Sequence, residues 1–269
     1  MKTIGILNCK ILQDEILYLI ETHPEIKEIT VIENGVQEEF LQKLNKIGRQ
    51  YKTVPSIHSL PDAQPPETGK NADDSYSVII WNVELGLHSI PKKLKENIYE
   101  NLEQFAPKVN GIFLMYGLCG NVLGNAEEDF KDILPVVILK EANGSVVDDC
   151  VGATLGGRTQ YLNLLKSFKG VGTLIYTPMF SCSPLADFFM YPEGMFTDEQ
   201  IYDMNKMMLD GANYQYVAKL HTGLEYTENF DENIQNVADL YNLKVIELEG
   251  GSQTIFENCF NELKLKLNI

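Results

Sequence analysis

The chain opens on a short apolar run, Thr3 to Asn8, and then changes period, with Leu12, Ile16, Leu19 and Ile20 falling on one helical face. Glu28 to Glu33 predicts a second strand. Glu38 to Ile47 predicts an amphipathic helix that turns Phe40, Leu41, Leu44 and Ile47 inward. A polar, proline-rich stretch from Pro55 to Asp74 fits neither period and reads as a loop. Ser77 to Val83 predicts the next strand. A helix over Ile90 to Phe105 follows it, with Ser89 as its cap and Pro91 in its first turn. Strands are then predicted at Gly111 to Met115, Pro135 to Leu139 and Val171 to Thr177, with a helix at Thr159 to Phe168. Beyond an aromatic segment, Phe180 to Gly194, helices are predicted at Asp198 to Leu209, Asn233 to Tyr241 and Thr254 to Leu267, with a strand at Lys244 to Leu248.

Strands that alternate with helices need crossovers, so the pattern predicts an α/β fold: a mostly parallel, Rossmann-like sheet with helices on both faces. Two parts are expected, an α/β core over 1–178 and a mixed α/β carboxyl-terminal lobe over 179–269 packed on it. In such sheets the loops at the carboxyl ends of the strands form the ligand crevice.

Composition narrows the function classes. With 38 acidic against 22 basic residues the formal charge is −16, a field that repels nucleic acid and anionic membrane surfaces. No apolar stretch approaches the roughly 18 residues a membrane-spanning helix needs, and the first residues lack a signal-peptide pattern. A cytoplasmic location is expected, with a homo-oligomer as one arrangement in which the aromatic segment meets a neighbour. The five cysteines are odd in number and far apart, which points to thiol or metal chemistry more than to a disulfide framework.

Four residues follow predicted strands: Cys9 the first, His88 the third, Cys119 the fourth and Cys150 the fifth. Three thiolates and an imidazole match a tetrahedral zinc site; the same thiols suit an iron-sulfur cluster. Cys182 also follows a strand and is an alternate member, whereas Cys259 lies in the last amphipathic helix and reads as core. Asp149, beside Cys150, is expected to orient His88 or to cap a helix starting near Val151. With Cys119 as nucleophile, His88 and Asp149 would make a metal-free Cys-His-Asp thiol enzyme. Gly156 and Arg158, in Leu155-Gly156-Gly157-Arg158, are expected to hold an anion, and Gly117 and Asn121 to shape the turn around Cys119. His23 and His58 read as surface residues. A third reading is a non-catalytic cofactor- or partner-binding module whose contact surface is the segment around Phe188 and Phe189.

Ile6-Leu7-Asn8-Cys9, Gly86-Leu87-His88, Tyr116-Gly117-Leu118-Cys119-Gly120-Asn121 and Asp148-Asp149-Cys150 with the segment Leu155 to Arg158 share order and wording with a known family. The chain resembles a domain-of-unknown-function family of methanogenic archaea and anaerobic bacteria, with Gly157 standing where that family is expected to have Ser. Its members look to be encoded beside corrinoid-dependent methyltransferases. The resemblance implies a role in anaerobic one-carbon metabolism, either as a zinc-thiolate methyltransferase or as an accessory that receives a corrinoid, a corrinoid protein or a methyltransferase.

Overall fold

A computed structural model describes residues 1–64, 75–183, 185, 191 and 195–269, with His88 described by its backbone alone. The first half builds one six-stranded sheet from β1 (Lys2–Cys9), β2 (Ile26–Ile32), β3 (Lys52–Val54), β4 (Tyr76–Val83), β5 (Gly111–Met115) and β6 (Val136–Ile138). Its order is β3-β2-β4-β1-β5-β6, and every pair is parallel. β1 is central and almost wholly buried, as a strand flanked by parallel neighbours and covered on both faces must be.

Helices cover both faces. Tyr76 and Trp81 are an odd number of positions apart on β4, so they point to opposite sides. Trp81 packs on Phe105 of α3 (Pro91–Phe105), with ring centroids 5.5 Å apart. Tyr76 instead meets Phe260 of the last helix, α9 (Thr254–Leu267), at 6.2 Å. α1 (Gln13–Thr22) lies on that same side, its end joined to α9 through His23. The remaining helices of this half are α2 (Glu38–Lys46), α4 (Ala126–Phe130), α5 (Cys150–Thr154) and α6 (Arg158–Ser167).

A second, three-stranded parallel sheet is formed by β7 (Gly172–Tyr176), β8 (Tyr214–His221) and β9 (Lys244–Glu249), in that order. It starts slightly upstream of residue 179. α7 (Asp198–Gly211) and α8 (Phe230–Tyr241) connect its strands. The chain then returns: α9 leaves β9 and lies on the first sheet, where Phe256, Phe260 and Leu263 are buried. At roughly 1.5–3 kcal/mol for each large apolar side chain removed from water, this return fastens the two sheets together.

A buried polar clasp adds to the join. Lys43 of α2 bonds Asp14 of α1 at 2.7 Å, Thr227 at 2.6 Å and the Met179 sulfur at 3.0 Å, and Thr227 donates to Asp14 at 2.9 Å. His23, expected at the surface, is buried, because its ring packs edge-on against Phe260 at 4.9 Å and its Nε2 lies 3.1 Å from Glu257. Ser89 does not cap α3. Its hydroxyl bonds the Gly86 carbonyl, and Ile90 takes the cap position ahead of Pro91.

Candidate functional site

Cys9 is the last residue of the central strand, and Lys10 to Leu12 fold directly into a helical turn beside it. Next to β1 stands β5, and its chain continues as Tyr116-Gly117-Leu118-Cys119-Gly120-Asn121. Here the backbone does something unusual: Cys119, Gly120 and Asn121 adopt φ values of 43°, 79° and 63°, three left-handed residues in succession. For an L-residue such as Cys119 that conformation costs about 1–2 kcal/mol. Two backbone bonds hold it, Leu118 N–H to the Val147 carbonyl at 2.8 Å and Cys119 N–H to the Asp148 carbonyl at 3.0 Å.

Those bonds require a bare backbone at Gly117. A Cβ there would stand 2.5 Å from the Val147 oxygen and 2.9 Å from the Asp149 Cα. The turn bearing Cys119 is thus laid flat on the loop bearing Cys150, which explains why two motifs far apart in sequence share one site. Gly120 packs against Pro91, where an added Cβ would come within 2.7 Å. The turn Leu85–Ser89, which carries His88, therefore leads straight to the Cys119 turn; the His88 side chain lies outside the described residues.

Cys150 begins α5, and Asp149 caps it by accepting the Gly152 N–H at 2.6 Å. The three thiols Cys9, Cys119 and Cys150 are buried together. Cys150 reaches both of the others. Its hydrogen bonds to Cys119 and Cys9, together with burial, push its thiol well above the ordinary range. Cys9 responds in the opposite direction, because donation from Cys150, the Ile11 N–H and Tyr116 outweighs burial and lowers it. Between these two thiols, ionisation is therefore eased at Cys9 and opposed at Cys150, which acts as the donor.

Tyr116 roofs the group. Its phenol is fully buried and raised, by burial first and then by Cys9, Cys150 and Cys119. No partner meets full hydrogen-bond geometry at its oxygen. On the opposite face of the sheet from Cys9, Asn8 and Asn82 are register partners, both wholly buried, with Asn8 Oδ1 and both side-chain atoms of Asn82 unsatisfied. Tyr116, Asn8 and Asn82 went unselected in sequence, although a lone amide in an otherwise apolar strand is a readable signal.

Asp149 is committed elsewhere. Its carboxyl, raised chiefly by burial, serves Gly152, Val151 and the Tyr161 hydroxyl, which makes it the cap of α5. The expected anion cradle at Gly156 and Arg158 is filled from within. Gly156 N–H bonds the Ala153 carbonyl, Gly157 N–H the Gly152 carbonyl, and Glu141 accepts the Arg158 N–H. The Arg158 side chain is exposed, 3.7 Å from Asp148. Asn121 is exposed at the rim of its turn. Cys182 stands apart, beside Glu39 and Lys43, with burial pushing its thiol up to about 12. Cys259 is core, within 3.4 Å of the Lys140 carbonyl.

Among the described residues no three His, Cys, Asp or Glu side chains are spaced to enclose a metal ion as they stand. Two clefts among the described residues lie elsewhere. One of about 410 Å³ is lined by Thr3, Glu28, Lys52 and Lys108, and one of about 490 Å³ by His221, Glu249 and Gln253. Neither touches the thiols, which are the chemically distinctive group, so cavity size is the poorer guide here. No described helix is long and apolar enough to cross a membrane.

No curated protein matches the chain. Among solved structures, a mutant of a metal-free periplasmic metal binding protein from candidatus liberibacter asiaticus aligns at 11% identity. It covers 99% of this chain and 100% of that one, with a TM-score of 0.24. CobK precorrin-6A reductase aligns at 10% identity over 88% of this chain and 97% of that one, with a TM-score of 0.21. A family model matches residues 82–260, from the end of β4 into α9, and so includes Cys119 and Cys150 but not Cys9. By that match, which spans more than half of its length, the chain belongs to the family described as "Protein of unknown function (DUF1638)".

Proposed function

We propose that Cys9, Cys119 and Cys150 form a three-thiolate site for a thiophilic metal ion, zinc before an iron-sulfur cluster, and that this site acts in methyl transfer. The observation that carries the reading is the convergence of three thiols from three separate strand ends into one buried group. The donor set fits such an ion, because soft sulfur ligands select zinc or iron over hard cations. An unsatisfied phenol oxygen over the thiols fits as well, since Tyr116 gains a hydrogen-bond acceptor wherever sulfur carries charge. Cys150 hydrogen-bonds to both Cys9 and Cys119. Loading would remove the Cys150 proton and replace sulfur–sulfur contacts with ligation.

A three-ligand zinc site keeps a fourth position open, through which it activates a bound thiol or water. The protein's own part is to hold the ligands at fixed strand ends, to exclude water and to place His88 on the turn beside Gly120. The place of this chemistry beside corrinoid-dependent methyl transfer, with a corrinoid protein or methyltransferase as partner, rests on the family resemblance. Anaerobically purified protein is expected to carry close to one zinc or iron per chain, lost in Cys9→Ser, Cys119→Ser and Cys150→Ser. Wild type that holds no metal and takes up neither cobalt nor cadmium sinks the reading.

One observation favours a second reading, a metal-free thiol enzyme. Donation from Cys150 lowers the Cys9 thiol at the end of β1, so Cys9 would be the nucleophile. That arrangement moves the nucleophile from Cys119 to Cys9 and leaves Asp149 out. It predicts one fast-alkylating thiol, at Cys9, in protein free of metal.

A further inference from the structure

We propose that the outer stripe of α6 is a docking surface for an acidic protein partner, seated on the shoulder of the thiol site. Acids make up 38 of the 269 residues, yet between Asp149 and Asp187 there is not one Asp or Glu. The same interval holds three cations, Arg158, Lys166 and Lys169, all of them exposed. In a chain of net charge −16, this is a local inversion of sign.

The helix is also unusually bare. Its ten residues, Arg158–Ser167, include none that is buried. Tyr161 and Leu164 are half-buried on the inner side, whereas Leu162 and Leu165 are 40% and 44% exposed. Positions 158, 162, 165 and 166 follow spacings of three and four, so they form one stripe, and Lys169 lies in the left-handed turn just past the helix end. The stripe reads cation, leucine, leucine, cation, with a further cation beyond it. An apolar centre with a charged rim is the pattern of a protein contact, and the charge selects an acidic partner.

A second copy of this chain fits poorly. Antiparallel pairing of two α6 helices would bring Arg158 toward the Lys166 of the other copy, and like charges repel. Among the described residues neither lysine takes part in an ion pair, so both ammonium groups are available to a partner. Arg158 alone has a neighbouring carboxylate, Asp148 at 3.7 Å.

The position gives the surface a purpose. α6 follows α5, the helix that Cys150 begins, and Tyr161 on its inner face bonds Asp149, the α5 cap. A partner on α6 would therefore sit beside the helix that Cys150 begins. This inference does not depend on whether the thiols hold metal.

The test uses the full chain in its native host, with a photo-crosslinking residue replacing Leu165 or, as a control on another exposed helix, Met207. Cross-linked peptides are identified, the protein found is purified, and its binding is measured at low and high salt. The expected result is a cross-link from position 165, absent from 207, to an acidic segment of one other protein. Affinity should fall at least tenfold in Lys166→Glu/Lys169→Glu and fall with salt. Cross-links confined to a second copy of the chain or to lipid, or binding indifferent to charge reversal in a folded variant, would overturn the proposal.

Discussion

Replacing Glu15 with Gln tests the electrostatics of the buried clasp most directly. Glu15 is 2% exposed in the first turn of α1, and its Oε2 atom has no partner. Burial, reinforced by Asp14 and opposed by Lys43, pushes its carboxyl up to about 8 from an ordinary value near 4.5. The folded state therefore keeps this proton over a range in which the unfolded state has lost it. Stability from this group is fully present below pH 4.5, declines as pH rises, and is gone once pH passes about 8. At about 1.4 kcal/mol per pH unit, the whole span amounts to about 5 kcal/mol, an upper bound once water and side chains relax. Gln has the shape of the protonated acid and cannot ionise. Urea unfolding at intervals from pH 5 to 9 should show Glu15→Gln within about 1 kcal/mol of wild type at the acid end. At the alkaline end the variant should be the more stable by several kcal/mol. Two stability profiles that run parallel across that range would refute the reasoning, since a purely steric effect has no pH dependence.

Other outcomes follow from the same geometry. Gly117→Ala drives a Cβ into the Val147 carbonyl and should destabilise the fold by about 3 kcal/mol or more in denaturant melts, with loss of any metal uptake. Cys119→Gly should be more stable than Cys119→Ala by about 1 kcal/mol, because only the alanine must hold the left-handed conformation; equal stabilities would deny the strain. Lys43→Met strands the buried Asp14 carboxylate and should cost about 3–5 kcal/mol, while adding Asp14→Asn should restore more than half of it; a double variant no better than the single would point to lost packing instead.

The periodicities of the chain predicted most helices to within one to three residues, because Leu, Ile and Phe at spacings of three and four must face a core. Two strands were not legible. β3 has three residues, too few to establish a period, and β8 runs Tyr-Gln-Tyr-Val-Ala-Lys-Leu-His, where a buried Val-Ala pair breaks the alternation. Nor does alternation say when one sheet ends and another begins, so the split between β6 and β7 needed coordinates. For the site, Cys9 is legible as the end of a strand, whereas Cys119 and Cys150 lie on longer connections after β5 and β6 that only the fold brings together. Asp149 illustrates the opposite case. A carboxylate next to a thiol looks chemical, but a cap must precede a helix somewhere, and here it serves that need. The aromatic segment around Phe188 and Phe189 lies outside the described residues.

The return of α9 to the first sheet also bears on how the chain is made. Residues 254–267 supply Phe260 and Leu263 to the face of β5, a strand synthesised some 140 residues earlier. At roughly 5–20 residues per second, that face waits several seconds or longer for its cover. A ribosome still holding the last helix would hold a first sheet that is paired but open on one side, with Tyr76 and Phe113 exposed to whatever binds nascent apolar surface. Folding of the thiol site should then finish only once residues 254–267 have emerged, and a chain stalled before residue 254 should be a chaperone client even though every cysteine of the triad has already emerged.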